Sequence, residues 1–276
     1  MEGYAYYNGR IGRCEDISIP LSDRLIYFGD GVYDVMIGHS GRLFLVDDHI
    51  ERLFSGIRVL NIYLSMTRDD ILDVVDRLIK LSGYKSYLVY ISVSRNADER
   101  RHSYIDCTFA NLLVTVKEFS FSHNNALKLI TEPDNRYGYC NIKTVNLLPS
   151  VMSATKAEAM GCDEAVFVRN GIVTECAHSN IFIIKDEILI THPESRHILS
   201  GIIRKFIIKN AAVFGVGVME RGFTEDELLD ADEVIVTSTT KLAQRAISVN
   251  GITVGGKGDD IADPLVKFLF ESYQNM

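Results

Sequence analysis

The chain has 276 residues, 47% of them apolar, which is room for two modest domains with their own cores. Its 29 Lys and Arg against 37 Asp and Glu give a net charge of −8. That balance excludes a non-specific nucleic-acid or anionic-membrane binder, while leaving space for a local basic pocket that takes a small anion. The five cysteines, Cys14, Cys107, Cys140, Cys162 and Cys176, contain no CxxC pair and are odd in number. The pattern suits a reducing compartment and speaks against a thiolate metal site. No signal-like start and no apolar run of about 18 residues is present, so a cytoplasmic protein without a membrane span is expected.

In chain order, Tyr4–Tyr7, Asn8-Gly9 and Arg10–Gly12 predict a hairpin. Val32–Ile37 predicts a strand, His39-Ser40-Gly41 a turn, and Arg42–Val46 the returning strand. Asp47-Asp48 then caps a helix whose apolar face is Ile50, Leu53, Phe54, Ile57 and Leu60. Thr67 caps a second helix with Ile71, Val74, Val75, Leu78 and Ile79 inward, stopped by Gly83. Tyr87–Val93 and Phe109–Val116 predict buried strands, separated by a polar stretch rich in basic side chains. Phe119–Ala126 is the expected linker, giving domains at 1–118 and 127–276.

The second half predicts a strand at Leu127–Thr131 and a loop at Glu132–Asn141 leading to Ile142-Lys143-Thr144. A helix follows with Leu148, Val151, Met152, Thr155 and Ala159 on its inward stripe and Gly161 as its stop. Strands are expected at 163–169, 172–174, 180–185 and 188–191, then a helix over 198–214 and a strand at 216–220. Thr224 with Glu227 predicts a capping box, and Glu233–Thr237 a strand running into Ser238-Thr239-Thr240. Hairpins clustered between helices make an α/β (α+β) chain, not the regular βαβ alternation of a dinucleotide fold.

Several residues carry potential chemistry, each with a plainer alternative. Gly29-Asp30-Gly31 reads as a turn or, weakly, as a phosphate cradle. Arg52 shares a helix face with His49 and reads as an anion ligand or as solvated helix surface. Arg100-Arg101-His102 is a positive cluster in an acidic chain: a carboxylate-binding patch or a solvated charge run. Lys143, flanked by an apolar strand residue, reads as a Schiff-base nucleophile or as a snorkelling lysine. Glu175 reads as a turn cap or as partner to a protonated heterocycle. Ser238-Thr239-Thr240 holds phosphate oxygens or turns the chain.

Taken together these segments resemble the fold-type IV pyridoxal-phosphate aminotransferases, and among them the bacterial D-amino acid aminotransferases. The matching stretches are Phe28–Tyr33, His49–Leu53, Arg100–His102, Ile142–Leu148, Thr174-Glu175 with Ser179-Asn180, and Val236–Thr240. They run in order over essentially the whole chain. The lysine, glutamate and Ser-Thr-Thr segments mark the fold type, and the Arg100–His102 segment carries the D-amino acid reading.

The resemblance implies a pyridoxal 5'-phosphate cofactor held by Lys143, with Glu175 at the pyridine nitrogen. Arg52 and the N–H groups of Ile202 and Ile203, with Ser238, Thr239 and Thr240, would hold its phosphate. Ser179 and Asn180 would join the cofactor set, Tyr33 and Val35 would line the substrate pocket, and Arg136 would support it. Arg100 and His102 would take the substrate α-carboxylate, reaching in from the other subunit of a homodimer. No metal, nucleic acid or membrane is implied; the partners are amino acids, 2-oxo acids and a second copy of the chain. Two departures from the family pattern stand out: Ile203 where a threonine is usual, and Cys176-Ala177-His178 where small or hydroxylated residues are common. Lys241 adds a cation after Thr240, a candidate to recruit a second carboxylate. The alternatives are a branched-chain L-aminotransferase, an aminodeoxychorismate lyase, and a catalytically silent cofactor-binding protein.

Overall fold

A computed structural model describes residues 2–96, 99–104, 109–121 and 126–276. They divide into two compact units. The first runs to Ser120 and takes in Ile142–Asn146; the second holds Phe121–Asn141 and Leu147–Asn275. The architecture is mixed α/β in both. Of the expected linker at 119–126, residues 122–125 lie outside the described residues. The lysine segment, expected in the second domain, packs with the first unit because its main chain bonds to a strand there.

The first unit comprises β1 (Tyr4–Tyr7), β2 (Arg10–Arg13), α1 (Arg24–Phe28), β3 (Gly31–His39), β4 (Arg42–Leu43), α2 (Val46–Val59), α3 (Arg68–Ser82), β5 (Ser86–Ser94) and β6 (Asn111–Glu118). Its sheet is antiparallel throughout, in the order β2-β1-β6-β5-β3-β4. The β1–β2 turn has positive φ at both Asn8 and Gly9, the backbone that the Asn-Gly pair supplies at least cost. Thr67 and Asp70 close a reciprocal capping box on α3, and Gly83 ends it in the left-handed region. Ile50, Leu53 and Ile57 of α2 and Ile71, Val75 and Leu78 of α3 meet Val89, Ile91, Val93 and Val114 in one core.

Two boundaries differ from expectation. The return strand after Gly41 is only two residues long. Leu45 then takes a left-handed conformation at φ 51° and starts α2 at Val46, so Asp47 and Asp48 lie in the first turn instead of capping it. There their charges oppose the positive end of the helix dipole. Along β3 the side chains alternate. Val32, Asp34 and Met36 are buried toward α2, while Tyr33 and Val35 are half-buried on the opposite face.

The second unit comprises β7 (Leu127–Pro133), α4 (Leu148–Ala159), β8 (Glu164–Arg169), β9 (Ile172–Cys176), β10 (Asn180–Lys185), β11 (Ile188–Thr191), α5 (Ile202–Asn210), β12 (Gly217–Glu220), β13 (Phe223–Thr224), α6 (Glu225–Leu229), β14 (Glu233–Ser238), β15 (Leu242–Val249), β16 (Ile252–Thr253) and α7 (Asp259–Gln274). The strand order is β12-β11-β10-β14-β15-β7-β8-β9-β13, with β16 paired to β15. The pairs β11/β12, β15/β7 and β7/β8 are parallel and the rest antiparallel. The Thr224–Glu227 capping box forms as expected.

Two helices differ from the pattern read in the sequence. The helix expected from Ile198 starts at Ile202, because Gly201 is extended, and it gives way to a tighter 3₁₀ turn at Ala211–Phe214. The stripe Leu148, Val151, Met152 of α4, expected inward, is exposed at 64%, 55% and 64%. Ala157, with Ala154, packs against the core instead. Among the described residues no helix is long and apolar enough to cross a membrane, and no three His, Cys, Asp or Glu side chains cluster as metal ligands.

Candidate active site

In the first unit, Lys143 is fixed by main-chain bonds on both sides. Tyr33 N–H donates to the Lys143 carbonyl at 2.9 Å, Val145 N–H donates to the Gly31 carbonyl at 3.3 Å, and Thr144 bridges Val32. Asn146 Nδ2 adds a bond to the Gly29 carbonyl at 2.8 Å. A Cβ at Gly29 would meet the Asn146 amide at 2.7 Å, so the Gly29-Asp30-Gly31 turn is what lets this segment dock. The result aims the lysine along the open face of β3, where Nζ lies 4.3 Å from the Tyr33 ring centroid. Tyr33 in turn stacks on Tyr90 of β5, centroids 5.3 Å apart.

Arg52 works from the other face of β3. Its Nε and Nη2 donate to the two oxygens of Asp34 at 2.8 and 2.9 Å, and His49 Nδ1 lies 2.7 Å from Oδ1. His49 and Arg52 do share a helix face, and what they share it for is a buried carboxylate. Burial would raise Asp34, but the Arg52 charge and the bonds from His49 and Arg52 hold it well below the usual carboxylate range. Burial pushes His49 down, against the pull of Asp34, with Arg52 and Lys143 adding to the fall. Burial thus favours the neutral imidazole, with Nδ1 directed at Asp34 and Nε2 buried without a hydrogen-bond partner among the described residues. The sequence reading missed Asp34. Its only signal is an acidic residue in a strand at a position that alternation marks as buried.

Arg100 and His102 lie exposed on the segment after β5. They gather on α1: the Arg100 guanidinium is 5.7 and 5.5 Å from the Tyr27 and Phe28 rings, and His102 is 5.3 Å from Phe28.

In the second unit, Glu175 is the penultimate residue of β9 and its carboxylate is buried. Arg136 donates to one oxygen, and Asn180 Nδ2 and the Leu199 N–H donate to the other at 2.9 and 3.0 Å. Arg136 is itself held by Asp134, the Thr174 hydroxyl and the His197 carbonyl. Burial pushes Asp134 up, yet bonds from Arg136 and Arg169 and the Arg136 charge bring its carboxyl down to about 2. Arg136 accordingly stays a cation between Asp134 and Glu175.

The remaining residues of the expected cofactor set fall into two places. Gly201 precedes α5 with no side-chain cap, so the first-turn N–H groups of Ile202 and Ile203 lack a capping side chain. A Cβ at Gly201 would meet Asn180 Oδ1 at 1.9 Å, which makes glycine obligatory there. The Ile203 side chain is buried, so only its backbone is offered. Ser238 ends β14, with its hydroxyl 3.5 Å from that of Thr240 and accepting from Lys241 N–H at 3.2 Å; Thr239 lies in the turn between them. Ser179 donates instead to Glu164 at 3.0 Å. Glu164, fully buried and not anticipated, also gathers Lys241 at 3.2 Å and His178 Nδ1 at 3.0 Å, while Lys241 Nζ is 2.9 Å from His178 Nε2. His178, in one of the two departures from the family pattern, and the additional cation Lys241 thus meet at one carboxylate.

Each unit by itself offers groups suited to part of a phosphorylated pyridine aldehyde. The first unit carries an amine beside an aromatic ring and an arginine aligned by a buried acid. The second carries a carboxylate oriented by three donors and a glycine-led helix terminus, of nine residues, with uncapped donors suited to an anion.

The profile of the family described as amino-transferase class IV matches residues 31–249. The D-alanine aminotransferase of Bacillus licheniformis is 33% identical over 276 residues, covering 98% of this chain and 95% of that protein. Among solved structures, a branched-chain aminotransferase from Thermoproteus uzoniensis superposes with a TM-score of 0.89 at 21% identity, covering 100% of this chain and 97% of that one. A 4-amino-4-deoxychorismate lyase from Legionella pneumophila gives a TM-score of 0.85 at 24% identity, covering 94% and 97%. These two likenesses show the shared fold.

Proposed function

The chain belongs to the class IV aminotransferases, pyridoxal-phosphate enzymes, and from that premise we propose that it transaminates D-amino acids such as D-alanine, D-glutamate or D-aspartate. The acceptor is a 2-oxo acid, 2-oxoglutarate or pyruvate. The observation that supports transamination is the placement of Lys143, its amine 4.3 Å from the Tyr33 centroid on a segment locked to β3; the D hand rests on the Arg100–His102 segment and on the 33% identity to a D-alanine aminotransferase.

When bound, the cofactor supplies an aldehyde that takes the amino group and a ring that accepts the electron pair left at Cα. Lys143 Nζ would hold it, and the same amine would take the proton from the substrate Cα. Glu175 would keep the ring nitrogen protonated, and Arg136, Asn180 and the Leu199 N–H hold Glu175 in place. Arg52, its guanidinium plane fixed by Asp34, would hold the phosphate, as would the N–H groups of Ile202 and Ile203 and the Ser238–Thr240 turn. Tyr33 and Val35 line the substrate side.

Chirality follows from where the carboxylate is anchored. The amine is committed to the cofactor and the Cα–H must face Lys143. Exchanging the positions of carboxylate and side chain then inverts the hand that is accepted. Arg100 and His102, supplied by a second copy of the chain, take the α-carboxylate and select the D enantiomer. The exposed Leu148–Met152 stripe of α4 supports such a dimer, since about 25 cal/mol per Å² favours covering it.

The test is product analysis with D-alanine and 2-oxoglutarate, which should yield pyruvate and glutamate in equal amounts. L-Leucine consumed faster than any D donor would establish the branched-chain reading. Pyruvate released from aminodeoxychorismate without an acceptor would establish the lyase.

A further inference from the structure

Arg24 opens α1 with its side chain buried in the first unit, only 3% of the residue exposed. Nothing in the reaction itself asks for a cation there, yet its fork is fully engaged. Nη1 donates to the Arg101 carbonyl at 2.6 Å, Nη2 to the His102 carbonyl at 3.1 Å, and Nε to Asp30 Oδ2 at 2.8 Å. Asp30 also accepts from Arg95 Nε at 3.0 Å. Arg95 is tied to the Asn61 and Leu60 carbonyls at 2.8 and 2.6 Å and lies 3.7 Å from the Tyr104 ring centroid. Phe28 fills the remaining side, 4.6 Å from the Arg24 guanidinium and 5.3 Å from His102.

An exposed loop ordinarily leaves its carbonyls to water. Here one planar guanidinium takes two successive carbonyls, and the peptide planes they belong to meet at the Cα of His102. Fixing both planes fixes the direction in which His102 leaves the backbone, while Arg100, one peptide beyond them, rests on the Tyr27 and Phe28 rings of the same α1. The Gly29-Asp30-Gly31 turn, which on sequence grounds read as a phosphate cradle or a simple turn, supplies the carboxylate that orients the fork.

We propose that Arg24 is a positioning residue for the substrate α-carboxylate, setting the aim of Arg100 and His102 through the Arg101 and His102 carbonyls. The inference rests on the assignment of Arg100 and His102 as the carboxylate site. Arg24 acts on carboxylate affinity and leaves the proton transfer at Lys143 alone.

The experiment uses the holoenzyme of wild type, Arg24→Met, Arg24→Lys and Arg100→Leu. The readouts are KM and kcat for D-alanine, the inhibition constant of propionate (a carboxylate without an amine), the cofactor dissociation constant and Tm. Arg24→Met should raise KM and the propionate constant together, about tenfold, since a displaced charged contact loses affinity steeply with distance. The turnover number and cofactor affinity should stay within about twofold of wild type. Arg24→Lys keeps the charge but lacks the fork, and should fall between the two. A lower kcat or Tm with KM and the propionate constant unchanged would mean a merely structural role and overturns the proposal. If Arg24→Met does not fold, Arg24→Lys decides by the same criterion. Unchanged constants in Arg100→Leu overturn the carboxylate-site assignment, and the proposal with it; raised constants there with none in the Arg24 variants overturn the proposal alone.

Discussion

Asp34→Asn removes one negative charge and almost no volume. In the wild type the buried carboxylate accepts from Arg52 at 2.8 and 2.9 Å and from His49 at 2.7 Å. An asparagine keeps one acceptor and turns an NH₂ toward either the guanidinium or the imidazole. Facing Arg52 it sets donor against donor; facing His49 it needs the imidazole to shift its proton to Nε2. Either way at least one charge-assisted bond is lost, at about 1.5–3 kcal/mol, and Arg52 keeps a charge with its buried counter-ion gone. The apo protein should therefore lose about 2–4 kcal/mol of stability, read from urea unfolding. The same loosening of the guanidinium plane should weaken phosphate binding by about tenfold or more, read from titration of apoenzyme with cofactor. At saturating cofactor the turnover number should change little, because Asp34 touches neither Lys143 nor the reacting atoms. Unchanged cofactor affinity alongside the lost stability would refute the claim that Asp34 acts through Arg52 on the phosphate.

Three further outcomes are expected. Glu175→Gln turns an amide toward the Asn180 and Leu199 donors and removes the charge at the ring nitrogen, so the half-reaction with saturating donor should slow by at least about tenfold while Tm shifts modestly. An unchanged single-turnover rate would assign the ring proton to another group. The depressed carboxyls of Asp34 and Asp134 contribute stability that is present above their ordinary values near 3.8 and lost as pH falls toward 2. For Asp134 this amounts to roughly 2 kcal/mol, visible as a falling urea midpoint below pH 4; a flat midpoint there would contradict the ion-pair account. Charging the α4 stripe with Val151→Glu and Met152→Glu should shift the protein toward monomer in sedimentation and lower D-alanine turnover, whereas a monomeric wild type would remove the case for a second copy supplying Arg100 and His102.

What could be read from the sequence was what repeats at short range. Ile50, Leu53 and Ile57 announce α2 by period alone, and Thr67 with Asp70, or Thr224 with Glu227, announce helix starts by a spacing of three. The extended Gly201 that delays α5 was visible as a residue but not as a conformation, because what forbids a side chain there is Asn180, far away in sequence. The α4 stripe shows the limit of periodicity: it reports that a face will be covered, not what covers it. Pro264 falls inside α7, where a ring without an N–H interrupts the helical pattern, and the Ala-Gln-Arg-Ala stretch of β15 shows no clean alternation. Within the candidate site, Lys143, Arg52 and Glu175 were accessible through motif resemblance. Their supports were not: Asp34 lies 15 and 18 residues from His49 and Arg52, and Glu164 lies 77 from Lys241. Buried carboxylates are identified by the cations that meet them, and those meetings are made by the fold.

The central claim is that this enzyme works on the D hand, and the half-reaction tests it most directly. Holoenzyme mixed with D-alanine or with L-alanine, without an acceptor, is followed by loss of the visible absorbance of the lysine-bound cofactor. The account predicts that D-alanine reacts about 100-fold faster or more at equal concentration, since only that hand places its carboxylate on Arg100 and His102 with Cα–H toward Lys143. Equal rates, or a faster reaction with L-alanine, would contradict it.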